Sequence, residues 1–66
     1  MTADFPFHAG QRFLIDDDLE HVHTVVCHRT AAGLALTTAG GLPVLYLPDT
    51  GKFCIPILGR YATRRT

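Results

Sequence analysis

The fold is decided by residues 22–57, which read VHTVVCHRTAAGLALTTAGGLPVLYLPDTGKFCIPI. Runs of β-branched and aliphatic residues alternate there with three glycine-marked turns at 30–33, 38–41 and 48–51. In the last of these turns Pro48 presets φ, Asp49 can bond its own backbone, and a glycine takes the left-handed position. The stretch therefore predicts four short strands joined by tight turns.

A further strand precedes this stretch. Residues 11–15 alternate, so that Phe13 and Ile15 share one face of an extended chain. The acidic run at 16–20 favours a turn, because aspartate is poor in strands. Residues 21–30 form the longest predicted strand, but apolar side chains fall on both of its faces, and the pattern leaves its core face open.

Register follows the hydrophobic pattern in the hairpin of residues 34–47. A two-residue loop gathers the leucines on one face, whereas a three-residue loop pairs Leu36 with Val44 and divides them, so we expect two residues. A bulge at Gly51 would add the next strand to the same face. The predicted core is Leu34, Leu36, Leu45, Leu47, Phe53, Ile55 and Ile57.

These elements predict an all-β chain: one small domain over residues 1–66, an antiparallel meander of about five strands curling into a barrel. The layout resembles the small barrels of the Src-homology and Tudor types. Such folds carry many unrelated functions, so the resemblance implies an architecture and no activity. We expect residues 1–10 to be a lead-in segment and residues 60–66 to be a mobile basic tail.

Composition supports a small folded protein in the cytoplasm. The chain has 66 residues, of which 47% are hydrophobic and 18% charged, which is too apolar for a disordered chain. The net charge is zero, although residues 1–33 carry −3 and residues 34–66 carry +3. Two cysteines are too few for a disulfide framework, and we find no signal peptide and no membrane-spanning segment.

Protein–protein contact is the function that the sequence favours. In the expected register Val44, Tyr46 and Cys54 lie on the outer face, where an apolar patch needs a partner. A chain this small gains burial by oligomerisation, and the acidic run can meet the basic tail of another copy. We therefore predict a non-catalytic interaction module that forms a homo-oligomer or binds another protein, and that has no membrane partner.

Two binding alternatives remain open. Small barrels bind nucleic acid through basic grooves and exposed aromatic residues, and the candidates are Arg29, Lys52, Arg60, Tyr61, Arg64 and Arg65. A weaker alternative is a metal site at His21 and His23, which share a strand face. Cys27 lies about 13 Å along that strand from His23, which is too far to share the ion.

Catalysis has little support in the sequence. Cys27 or Cys54 would need a histidine brought close by the fold to act as a nucleophile. The chain has no nucleophile elbow and no glycine-rich oxyanion loop. We therefore expect no enzymatic activity and no cofactor.

Overall fold

The computed structural model describes residues 6–65, which form six antiparallel strands. The strands are β1 (Arg12–Asp17), β2 (Val22–Thr30), β3 (Gly33–Thr38), β4 (Pro43–Leu47), β5 (Lys52–Ile55) and β6 (Arg60–Arg64). Each pairs with the next, and β6 pairs with β1, so the meander closes into a barrel. The prediction of a small all-β barrel is confirmed, with six strands in place of about five. Within the described residues, no helix is long and apolar enough to span a membrane.

The sixth strand lies where a mobile tail was expected. β6 pairs with β5 on one side and with β1 on the other, where Ile15 is opposite Arg64. The expectation of a tail over 60–66 was wrong because Arg60–Arg64 supplies the strand that closes the barrel. Closure protects the edges of β1 and β5, which would otherwise present unpaired backbone groups. Thr66 and residues 1–5 of the lead-in lie outside the described residues.

The β3–β4 hairpin has the three-residue loop, not the two-residue loop that we expected. Leu36 pairs with Val44, and the backbone N–H of Thr38 donates to the carbonyl of Leu42 at 2.8 Å. The Thr38 hydroxyl accepts the N–H of Leu42 at 3.1 Å, which fastens the loop from inside. Gly41 takes a φ of +94°, the left-handed position that completes such a loop.

The β4–β5 turn sets the next register. Leu47 pairs with Lys52 across the four-residue turn, and Gly51 has the expected positive φ of +71°. No bulge shifts the ladder after this turn. Phe53 therefore points into the barrel, whereas Leu45 points out of it.

The predicted core was partly right. Three of its residues are buried: Leu36, Phe53 and Ile55. Leu34 and Leu47 are half-buried, and Leu45 and Ile57 are exposed. The loop length explains Leu45 and Leu47, because a shift of one residue moves every side chain of β4 to the opposite face. Ile57 is exposed for another reason, since β5 ends at Ile55 and Ile57 lies in the following turn. The interior holds ten buried apolar residues: Phe7, Phe13, Ile15, Val25, Cys27, Leu36, Val44, Phe53, Ile55 and Ala62.

Strand β2 turns its histidine and cysteine face inward. Val25 and Cys27 are fully buried, and His23 lies on the same face. This settles the face that the sequence pattern left open. At the end of the interior away from His23, Phe7 of the lead-in segment stacks on Phe13. Their ring centroids are 4.9 Å apart, and the edge of the Tyr46 ring meets Phe7 at 5.1 Å.

Candidate functional site

Asp17 is the centre of a polar network inside one end of the barrel. It is the last residue of β1, points inward and is 4% exposed. Its Oδ1 accepts hydrogen bonds from the backbone N–H groups of Leu19 at 2.9 Å and His21 at 2.8 Å. Its Oδ2 lies 2.9 Å from Nε2 of His23 and 3.2 Å from Nη1 of Arg60.

These contacts hold the pKa of the Asp17 carboxyl well below its usual range. The hydrogen bond with the His23 side chain is the largest cause, and burial acts against it by penalising the charged form. The backbone N–H groups of His21 and Leu19 and the Arg60 guanidinium lower the pKa further. Asp17 is therefore a carboxylate, and His23 donates to it through Nε2–H.

The network fastens three segments of the chain. Two backbone bonds to Asp17 hold the turn between β1 and β2, in which Glu20 takes a φ of +64° that non-glycine residues seldom adopt. The contacts of His23 and Arg60 with Asp17 attach β2 and β6 to the end of β1. A carboxylate offers about four acceptor positions, and four donors surround this one. The arrangement is that of a structural anchor.

The proposed metal pair belongs to the same network. His23 contacts Asp17, and Nδ1 of His21 lies 3.8 Å from the same carboxylate oxygen. Arg60 also approaches, with its Nη1 3.5 Å from Nδ1 of His21. Among residues 6–65, no group of three or more His, Cys, Asp or Glu side chains is arranged to hold a metal ion.

A row of three residues crosses the outer wall of β4, β5 and β6. Leu45 pairs with Cys54, and Cys54 pairs with Tyr61. Leu45 is 53% exposed and Tyr61 is 56% exposed, with half-buried Cys54 between them. Side chains directly opposite on paired strands touch, so the three form one surface, here named the outer row. The β5–β6 turn adds exposed Ile57 and Leu58 beside it.

Two grooves flank the outer row. One, of about 370 Å³, is lined by residues 34–36 and 43–46, where β3 and β4 diverge beyond the Leu36–Val44 pair. It is mainly apolar, and Leu45 forms part of its wall. The other, of about 200 Å³, lies beside Tyr61 and is lined by residues 16–18, Lys52 and residues 61–63. The outer row therefore has an apolar groove on one side and a charged groove on the other.

Charge is separated along the barrel axis. Alternate turns of an antiparallel meander lie at the same end, so the turns before β2, β4 and β6 share one end. This acidic end has four carboxylates and one arginine, a net −3: Asp16, Asp17, Asp18, Glu20 and Arg60. The opposite, basic end has five cations and one carboxylate: Arg12, Arg29, Lys52, Arg64, Arg65 and Asp49. Asp16 also reaches this end, because it lies 4.0 Å from Arg65 and lines a groove with Lys52, and with Asp16 counted the net charge there is +3.

The structure corrects the expected outer-face contact residues. Val44 is 5% exposed and belongs to the core. Tyr46 packs inward, with its ring 5.3 Å from that of Phe53. Both were placed outside because a two-residue loop was assumed, and the three-residue loop reverses the faces of β4. Cys54 faces outward, and its exposed neighbours are Leu45 and Tyr61.

The structure divides the six proposed nucleic-acid contacts. Four lie at the basic end: Arg29, Lys52, Arg64 and Arg65. Arg60 is bound to Asp17 at the acidic end, and Tyr61 belongs to the outer row. Sequence reasoning missed Arg12, which begins β1 at the basic end.

Sequence reasoning also missed Asp17, which was treated as part of a solvated acidic loop. One feature of the sequence does indicate that Asp17 is buried. Asp17 continues the alternation of Phe13 and Ile15, so an extended strand directs all three to the same buried face. The Arg60 partner gave no local signal, because it lies 43 positions away.

Comparisons of the chain with protein-family models, with curated proteins and with solved structures find no match. The fold and its surfaces define the class of protein: a six-stranded antiparallel barrel with an anchored interior, an exposed outer row and two oppositely charged ends.

Proposed function

We propose that this protein is a small, non-catalytic interaction module that self-associates through the outer row. The observation that carries the proposal is the exposure of Leu45 and Tyr61 on either side of Cys54 on three paired strands. Contiguous apolar surface of this kind marks interaction sites on small proteins. The polar anchor at Asp17, by contrast, is enclosed and already saturated with donors.

The flanking grooves favour a second copy as the partner. A two-fold axis in the interface, running along β5 through Cys54, would reverse the outer row of one copy relative to the other. Tyr61 of each copy would then meet the apolar groove beside Leu45 of its partner. This reciprocal contact is the self-complementarity that an isologous dimer requires.

The free energy of burying the outer row determines how strongly two copies should associate. Full burial of one large apolar side chain contributes about 1.5–3 kcal/mol, and about half of that remains for a residue already half covered. Two copies of Leu45 and Tyr61 then supply roughly 3–6 kcal/mol. Association costs about 4–15 kcal/mol. The exposed Ile57 and Leu58 and the grooves must therefore contribute, and we expect a concentration-dependent dimer.

Light scattering tests the proposal. We expect the mass of a dimer at both low and high salt, because an apolar interface is little affected by screening. Leu45→Thr and Tyr61→Thr keep a residue that favours strands and should return the mass to that of a monomer. Val22→Thr is the matched control, since Val22 is 45% exposed on the opposite wall. A monomer at all concentrations, or a mass unchanged by the outer-row variants, would contradict the proposal.

We further propose the cytoplasm as the compartment. Both thiols, Cys27 and Cys54, are free, and free thiols are typical of a reducing environment. Fractionation of cells that produce the full chain would test this assignment, and recovery of the protein outside the cytoplasm would contradict it.

A further inference from the structure

Five cations from separate parts of the sequence lie at or near strand ends on the basic end of the barrel. Arg12 begins β1, Arg29 lies near the end of β2, Lys52 begins β5, Arg64 ends β6 and Arg65 follows it. Two described carboxylates lie beside these cations: Asp49 in the β4–β5 turn, and Asp16 of β1, which is 4.0 Å from Arg65 and lines one groove with Lys52. With five cations and these two carboxylates, a chain whose net charge is zero presents a local net charge of +3.

These cations are exposed and largely unpaired. All five are exposed. Among residues 6–65, Arg12, Arg29, Lys52 and Arg64 have no carboxylate oxygen within 4.0 Å, and Arg65 has a marginal contact of 4.0 Å with Asp16. Arg60 at the other end shows the contrast, because its guanidinium is already bound to Asp17. The basic end therefore has charge available for a ligand.

Arg64 is the most restrained of the five. Its guanidinium carbon lies 4.7 Å from the centroid of the Phe13 ring, which is itself stacked on Phe7. A cation over an aromatic face is held by the ring quadrupole, so the side chain loses less freedom when it binds. Four of the five cations are arginines, whose planar donor fork matches a phosphate.

From this set of exposed cations we propose that the basic end binds the sugar-phosphate backbone of a nucleic acid without sequence preference. Phe7 and Phe13 are buried at this end and offer no face for base stacking, so phosphate contacts dominate. The acidic end of a second copy is the other polyanion to consider. It is the weaker fit, because Asp17 is already matched by Arg60 and His23.

The size of the site limits the ligand. The described barrel measures 31 × 26 × 22 Å along its principal axes. A short single strand is long enough to cross the basic end, and we expect it to contact four or five of these cations. This binding would be independent of the outer row, which lies on the wall of the barrel.

Fluorescence anisotropy with a labelled oligothymidylate of about 15 nucleotides tests the proposal. For four or five phosphate contacts to a single strand, the slope of log K against log salt is roughly −3. Binding should then weaken about 60-fold between 50 and 200 mM salt. The double variant Arg64→Gln/Arg65→Gln should bind more weakly at low salt, and its loss over the same range should shrink to about tenfold.

A charge-matched control shows whether binding depends on where the cations lie or only on the net charge of the protein. Leu19→Glu/Ala39→Glu lowers the net charge by the same two units in exposed turns of the acidic end and should retain the affinity. Leu45→Thr should also leave binding unchanged. No binding at low salt, or an equal loss in the charge-matched control, would overturn the proposal. A third result would also overturn it: the protein self-associates without nucleic acid, high salt weakens that association, and Arg64→Gln/Arg65→Gln abolishes it. The basic end would then contact the acidic end of a second copy.

Discussion

Asp17 and Arg60 are 43 positions apart in the sequence, and their side chains meet at 3.2 Å where the last strand closes on the first. The same carboxylate holds the β1–β2 turn through two backbone bonds and holds β2 through His23. One side chain therefore links the first, second and sixth strands. A barrel with so small a core depends on such a link, because closure determines whether the β1 and β5 edges are covered.

Asp17→Asn should destabilise the barrel more than any substitution of an exposed carboxylate. The amide keeps the shape of the side chain but removes the charge, which leaves the Arg60 guanidinium without its counter-charge and presents a donor where an acceptor is needed. Thermal unfolding followed by circular dichroism at pH 7 measures the effect. Asp18→Asn is the matched control, since Asp18 is the exposed neighbour in the sequence. Equal melting temperatures for the two variants would contradict the anchoring role.

Asp17 should also set the acid limit of stability. Its pKa is lowered in the folded state relative to the usual 3.8, so the unfolded chain binds the proton more readily. The stabilisation is complete above about pH 4 and is lost as pH falls from there towards the depressed folded pKa. Urea unfolding between pH 7 and pH 2 should show this fall in the wild type and a smaller one in Asp17→Asn. Parallel pH profiles would show that other carboxyls are responsible.

The sequence predicted the class of fold because alternation and turn chemistry are local. The turn after Leu47 carries proline, aspartate and glycine at fitting positions, and its structure agrees with that pattern. The loop after Thr38 was harder to predict. Two glycines follow one another there, and either loop length satisfies the backbone. The choice depends on the Thr38 hydroxyl bond to Leu42 and on the fit of Val44 inside the barrel, which are tertiary contacts.

The candidate surfaces also combine features that local sequence predicts with features that depend on tertiary structure. Leu45 and Val44 were exchanged by the error of one residue in the loop after Thr38. Cys54 was nevertheless placed correctly on the outer wall, because the bulge expected at Gly51, which the structure lacks, reversed the faces of β5 once more. The basic end is a product of topology, since Arg12 and Arg64 come to the same end of adjacent strands only when β6 pairs with β1. No local pattern shows that residues 60–64 form a closing strand.

The loop after Thr38 can be tested with two adjacent glycines. Gly41→Ala should destabilise the protein by about 1 kcal/mol or more, because Gly41 has a φ of +94° that alanine rarely adopts. Gly40→Ala is the matched control, because Gly40 has no positive φ and a Cβ there would meet only the Thr38 hydroxyl, at 3.9 Å. Urea unfolding of both variants measures the difference. A larger loss for Gly40→Ala would argue for a different loop.

Cys54 reports on the proposed dimer directly. A two-fold axis along β5 brings Cys54 of one copy against Cys54 of the other, whereas Cys27 is fully buried and out of reach. Mild oxidation should therefore give a covalent dimer on a non-reducing gel, reversed by reductant. Cys54→Ser should abolish this product, Cys27→Ser should leave it intact, and Tyr61→Thr should reduce it by weakening the contact. A dimer by light scattering that fails to cross-link through Cys54 would place the interface elsewhere on the barrel. Cross-linking that persists undiminished in Tyr61→Thr would show that random collision, and not the outer row, brings the thiols together.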